Sequence, residues 1–327
     1  MSDAAQLVSL WTLFATAPEL LFLRLGAAFV LGSILASFVT LCAERHAAGY
    51  SFVRPGSHCS HCHHPLTILQ LVPVAGWLLQ GGRCAFCKTP IPWRYPVLEA
   101  GLGLVFLALC SRWGWTPAFL VHVPVLCLLL WLALTDWLTL RLPDKITFLA
   151  LGCVLAGKTL LVLTGPESLS LAGLLKAWAF WLGTGALAAL FLLVMGRVLS
   201  RRAGREALGL GDVKLGLVLG TLLEEDVFVS LALASVLALL AARLGLPGWA
   251  GQRKASEQAE QAEQAGASEE TRIPDQAEAS AQTKASGQTR ASDQPQASGQ
   301  PQTTVVAFGP CLVLGALCTL AARALMP

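Results

Sequence analysis

Ala118-Phe-Leu-Val-His-Val-Pro-Val-Leu-Cys-Leu-Leu-Leu-Trp-Leu-Ala-Leu-Thr135 runs for 18 residues without a Lys, Arg, Asp or Glu, and Asp136 follows at once. That length is about what a helix needs to cross the hydrocarbon core of a bilayer. An ionisable group at membrane depth is costly, so a carboxylate there is a functional-site candidate by default. Asp212, in Gly209-Leu-Gly-Asp-Val-Lys214, stands in the same way at the start of the apolar run Val213–Leu223.

Reading outward, eight apolar blocks emerge: Leu20–Cys42, Val97–Trp113, Ala118–Thr135, Ile146–Leu163, Leu171–Val198, Val213–Leu223, Val227–Leu246 and Val305–Leu325. The composition agrees, with 55% hydrophobic and 13% charged residues against about 25% charged in soluble domains. The expected fold class is therefore an all-α integral membrane protein of about eight transmembrane helices. The short block at Val213–Leu223 fits a helix that starts below the membrane surface, beside a site that admits water. Met1 to Glu19 holds no Lys or Arg, so the basic start of a secretory signal is missing. A net charge of +3 gives no reason to propose a nucleic-acid partner.

Basic residues mark the cytoplasmic side of a membrane protein. Arg45, Arg54, Arg83, Lys88 and Arg94 lie between blocks one and two, Arg141 and Lys145 follow block three, and Arg201, Arg202 and Arg205 precede block six. The opposite linkers offer Arg112 alone and the acidic Glu224-Glu-Asp226. The expected topology has both termini outside, with Asp136 and Asp212 near the cytoplasmic face. Residues 250–303 are rich in Ala, Ser, Gln and Glu, with a six-residue echo at Ala285-Ser-Gly-Gln, Ala291-Ser-Asp-Gln and Ala297-Ser-Gly-Gln. Such a composition cannot bury a core and reads as a disordered polar cytoplasmic loop. Five segments result: 1–42 with the first helix, 43–96 as a cytoplasmic four-cysteine domain, 97–249 as the membrane core, the 250–303 loop, and 304–327 with the last helix.

Cys59-Ser-His-Cys62 and Cys84-Ala-Phe-Cys87 are separated by 21 residues. Two such pairs can place four thiolates around one tetrahedral Zn²⁺, the metal replacing a hydrophobic core. C-x-x-C also serves thiol–disulfide exchange, which leaves a membrane thiol–disulfide carrier as a rival reading. That rival leaves the Gly-x-Gly-Asp block unexplained. His58, His61, His63 and His64 read as solvated groups beside a filled tetrahedron. The other six cysteines, Cys42, Cys110, Cys127, Cys153, Cys311 and Cys318, lie in apolar blocks and read as small hydrophobes.

Two carboxyls held close together cannot both ionise easily and share a proton. The ionised one can take a proton from water while the other polarises a scissile carbonyl. The glycines at 209 and 211 allow close backbone approach before the helix. Asp144, in Leu142-Pro-Asp-Lys145, reads as a helix cap, and Lys214 as a topology anchor. A transporter with a proton relay would place its aspartates near mid-helix within inverted repeats, and neither is present.

Taken together, these residues resemble the bacterial prepilin peptidases, the type IV leader peptidases, which are GxGD-type membrane aspartic proteases. Gly32-Ser-Ile-Leu-Ala-Ser-Phe38 resembles the family's first-helix motif, and the two C-x-x-C pairs its cytoplasmic domain. Pro90-Ile-Pro-Trp-Arg-Tyr-Pro-Val-Leu-Glu99 resembles the segment leading into helix two. Thr135-Asp136 with Leu142-Pro-Asp144, and Gly209-Leu-Gly-Asp212-Val-Lys214, resemble the two catalytic blocks. Phe308-Gly-Pro-Cys-Leu312 resembles the last-helix motif. The chain departs from the family at Gln70-Leu-Val-Pro-Val-Ala-Gly-Trp77, where Asn-x-Ile-Pro-x-x-Ser-Trp is usual. The resemblance implies an inner-membrane enzyme acting at the cytoplasmic face on type IV prepilins or type II secretion pseudopilins, with Asp136 and Asp212 catalytic. It implies zinc on Cys59, Cys62, Cys84 and Cys87. It also implies N-methylation of the new N-terminus from S-adenosylmethionine, with a peptidase-only member as the alternative.

Overall fold

The computed structural model describes residues 18–51, 56–165, 170–204, 208–243 and 308–325. Residues 250–303 lie outside the described residues. Within the described residues the long elements are all helical: α1 (Leu21–Ala47), α3 (Arg94–Trp113), α4 (Pro117–Thr139), α5 (Asp144–Thr164), α6 (Leu171–Ala203), α7 (Leu210–Leu223), α8 (Val227–Arg243) and α9 (Phe308–Leu325). A five-residue helix, α2 (Ala75–Leu79), lies in the cysteine loop. α1, α3, α4, α5 and α6 are each long and apolar enough to cross a membrane, and the chain is a multi-pass membrane protein. α7, α8 and α9 are shorter, with 14, 17 and 18 described residues.

The helices outrun the apolar blocks that announce them, because backbone hydrogen bonding continues into polar ends. α6 passes Val198 through Arg201 and Arg202 before Gly204, at φ 65°, ends it in the left-handed conformation that favours glycine at this position. Ser170 caps its start by accepting from the Gly173 amide at 3.2 Å. α4 opens with Pro117 at its first turn, where a missing N–H costs nothing.

α1 packs on α3 and α4, α4 on α5, α6 on α7, and α9 on α3, α4 and α7. Lipid tails give no hydrophobic drive for helices to associate, so small residues that let backbones approach carry much of the packing. A Cβ on Gly32 would lie 2.8 Å from the Leu102 carbonyl oxygen across α1 and α3. A Cβ on Gly220 would lie 2.7 Å from Gly185 Cα across α6 and α7. Phe106, Leu109, Leu129, Leu132, Leu215, Leu219 and Leu312 form the buried centre, while Phe22, Leu187 and Leu239 face outward as lipid-contacting residues do.

Two of the three carboxylates in the acidic turn Glu224–Asp226 between α7 and α8 are paired locally. Lys158 of α5 meets Glu224 at 2.5 Å. Arg323 of α9 pairs with Asp226 and donates to the Leu223 carbonyl. Two neighbouring helices are thereby tied to the far end of α7, away from Asp212.

Candidate active site

Asp136 sits one turn before the end of α4 and is buried, at 7% exposure. Leu140, with φ 53°, closes that helix by donating its amide to the Asp136 carbonyl at 2.9 Å. The side chain turns toward α9, where its Oδ2 accepts a hydrogen bond from the Gly309 amide at 3.1 Å. An amide at a helix start carries partial positive charge and suits a carboxylate. The contact leaves no room for a side chain, because a Cβ on Gly309 would stand 2.6 Å from Asp136 Oδ2.

Asp212 lies in the first turn of α7, half-buried, with Gly209 as the extended residue before the helix. Its Oδ2 lies near Gly209, 3.8 Å from where a Cβ on that glycine would stand, and it is close enough to Asp136 for that charge to act on it. The two aspartates, from α4 and α7, thus lie within electrostatic reach of each other, with α9 packed against both helices. At 14 residues α7 spans about 21 Å, less than the roughly 30 Å hydrocarbon core. Its first turn can therefore lie below the membrane surface.

Two contacts fix the start of α7 against the α4–α5 connection. A Cβ on Gly211 would meet Leu142 Cβ at 3.0 Å, so the second glycine is where the helix start seats on Leu142. Lys214 Nζ meets Asp144 Oδ1 at 2.6 Å. The pair gives each residue a partner that the readings of Asp144 as a cap and Lys214 as an anchor did not include. Pro143 occupies the cap position in an extended conformation, and Asp144 is the first helical residue. Its carboxylate is turned sideways to the lysine. Opposite charges at the starts of two helices were the available signal. The Gly309 amide was also not anticipated, and only the position of the Phe308-Gly-Pro motif pointed toward it.

The four cysteines converge as well. The Sγ atoms of Cys59, Cys62, Cys84 and Cys87 all lie within 4.8 Å of one another, with Cys59–Cys87 at 3.8 Å and Cys62–Cys84 at 4.0 Å. A tetrahedral Zn–S bond of about 2.3 Å gives sulfur–sulfur edges of about 3.8 Å, so the cage fits that ion. The two loops repeat one geometry. His63 N–H donates to the Cys59 carbonyl and Lys88 N–H to the Cys84 carbonyl, at 2.9 and 3.0 Å. Both donors have positive φ, 55° and 58°. Hydrogen bonding with the Thr89 hydroxyl, then its backbone, lowers the Cys87 thiol to about 6. Backbone hydrogen bonds, led by that from Cys62, lower Cys59. These donors favour the thiolate at Cys87 and Cys59, whereas Cys62, against a backbone hydrogen bond from His64 that lowers it, is pushed up to about 11 by desolvation and the other three thiols. Among the described residues, no histidine belongs to the cluster.

Residues 30–113 match the Bacterial Peptidase A24 N-terminal domain and residues 123–242 the Type IV leader peptidase family. The prepilin leader peptidase/N-methyltransferase of Myxococcus xanthus (strain DK1622) is 34% identical over 244 residues, covering 71% of this chain and 67% of the relative. The protein of the same name from Bacillus subtilis (strain 168) is 30% identical over 232 residues, covering 70% and 87%. That from Dickeya chrysanthemi is 33% identical over 207 residues, covering 62% and 67%. No solved structure matches the chain.

Proposed function

The chain belongs to the type IV leader peptidase family, and from that premise we propose that it cleaves the short basic leader from type IV prepilins or type II secretion pseudopilins. The observation that carries the reading is that Asp136, held by the Gly309 amide at the start of α9, and Asp212 lie within electrostatic reach of each other. The substrate's apolar N-terminal helix lies in the bilayer of the bacterial cytoplasmic membrane, and its basic leader stays in the cytoplasm. The scissile bond, after the glycine that ends the leader, then reaches the level of the two aspartates.

Asp136 and Asp212 hold one proton between them. The ionised member takes a proton from water, and the resulting hydroxide oxygen attacks the scissile carbonyl. The protonated member donates to the carbonyl oxygen, and a proton passes to the leaving amine as the C–N bond breaks. The pair titrates as a unit. The Gly309 amide holds one Asp136 oxygen in place throughout, fixing the geometry that proximity catalysis needs.

Zinc held by Cys59, Cys62, Cys84 and Cys87 organises residues 43–96 as a cytoplasmic lobe. Residues 97–249 with 304–327 form the protease core, and 250–303 a polar loop. The names of the relatives favour a bifunctional enzyme over a peptidase-only member. S-adenosylmethionine is then the methyl donor for the new N-terminal amine. The thiol–disulfide reading is not favoured.

The test incubates the purified chain in detergent with prepilins and S-adenosylmethionine and reads product masses. The expected products are a mature pilin cut after the glycine and the same pilin carrying one added methyl. Asp136→Asn and Asp212→Asn abolish cleavage while the protein still elutes as a folded species. Full activity in either variant overturns the assignment of the aspartates. A cut pilin without added mass overturns the methyl transfer alone.

A further inference from the structure

Between Glu44 and Glu99 the sequence contains no Asp or Glu. Its basic residues are not all occupied within the fold. Arg94 pairs with Glu44 at 2.9 Å and Arg45 donates to the Ser51 carbonyl at 3.2 Å, whereas Arg83 and Lys88 stand exposed. The same segment turns large apolar side chains outward. Ile68 is 85% exposed, Leu69 74%, Leu78 62%, Leu79 81%, Phe86 55% and Trp93 71%.

These residues stand on a built platform. The 3-10 turn Ile68–Leu71 and α2 press together so closely that a Cβ on Gly76 would lie 2.5 Å from the Gln70 carbonyl oxygen. Gln80 Nε2 donates to the Gly76 carbonyl at 2.8 Å, and the Trp77 indole to the Ile91 carbonyl at 3.1 Å. The platform is clamped to the membrane core, because the buried Glu99 of α3 accepts from the Val74 amide at 2.7 Å. Trp93 directly precedes α3. The outward leucines are therefore held near the level at which α3 enters the bilayer.

An apolar face of this size on a water-facing lobe marks an interaction site. Apolar side chains with basic ones and no acidic ones are the composition of a surface that lies in the headgroup layer. Tryptophan is enriched at that level, and exposed Lys and Arg are drawn to anionic lipid. A basic leader peptide is repelled by the same charges. We propose that the Ile68–Leu79 platform of the cysteine lobe is seated in the bilayer the chain spans, with Arg83 and Lys88 engaging an anionic lipid surface.

The experiment uses the full chain in nanodiscs of phosphatidylglycerol mixed with phosphatidylcholine, carrying p-benzoylphenylalanine in place of Leu79. Illumination followed by mass analysis identifies what the probe touches. The same probe in place of Phe22 of α1, itself 85% exposed, is the lipid-facing control. The expected result is a lipid adduct at both positions. The Leu79 adduct falls severalfold in phosphatidylcholine alone and in the double variant Arg83→Glu/Lys88→Glu, while the Phe22 adduct is unchanged. The milder Arg83→Gln/Lys88→Gln double variant gives an intermediate loss. It also guards against misfolding, which hydrogen exchange over residues 76–82 detects. A Leu79 adduct to protein, whether the chain's own 250–303 segment or a second copy, overturns the proposal. So does no lipid adduct at Leu79 where Phe22 gives one, or an adduct insensitive to lipid charge and to both double variants.

Discussion

Gly309 is where a single added methyl meets the chemistry. Its amide holds Asp136 Oδ2 at 3.1 Å and its missing Cβ leaves the space the carboxylate fills. Gly309→Ala forces the carboxylate away, and misplacement of a catalytic group by about 1 Å costs on the order of a hundredfold. Steady-state kinetics with a prepilin substrate should show that loss in kcat with KM little changed. The Lys214–Asp144 pair is different in kind. Its side chains are 38% and 59% exposed, so it contributes less than about 1 kcal/mol. Asp144→Lys and Lys214→Asp should each slow cleavage about fivefold or less, and the double swap should recover most of the loss. Failure of the swap to rescue either single variant refutes a positioning role. The aspartates were legible in the sequence because a charge at the edge of an apolar run has few explanations. The Gly309 amide was not, since every residue but proline carries the same donor. Nor was the ion pair, which depends on which helix starts lie side by side.

The cysteine lobe shows what the spacing of a motif encodes at the level of an element. Two C-x-x-C pairs separated by 21 residues predict one cage, and the structure brings the four sulfurs within 4.8 Å. Each half repeats the same turn, with isolated bridges at His58–Pro65 and Arg83–Pro90. Stripping metal from the protein with a strong chelator should release backbone protection over residues 57–91 while the membrane helices keep theirs, because the lobe has little core of its own. Hydrogen exchange read by mass spectrometry checks this, and added Zn²⁺ should restore the protection. Loss of protection across α4 and α7 as well would place the metal in the stability of the core. Helix positions were legible from apolar length, but ends were less so. α3 begins at Arg94, ahead of the apolar run at Val97, because the chain through Trp93 already has helical geometry.

At the scale of the molecule, five helices have the length and apolarity to span a bilayer, and the basic linkers predict their orientation. A cysteine placed at Lys88 or Lys145 should react with an impermeant maleimide only from the cytoplasmic side, and one at Arg112 only from the outside. The reverse pattern would carry both aspartates to the wrong face. Hydropathy made the spanning helices legible, yet it is silent on how α9 is used. Asp136 receives its amide from a residue 173 positions later in the chain. A ribosome must therefore add 173 further residues after Asp136 before that carboxylate can gain its partner. During synthesis the growing chain carries both aspartates in the membrane without the strut that sets one of them. On the proposed mechanism, cleavage should begin only once α9 has joined α4, so that translation itself would time the protease's maturation.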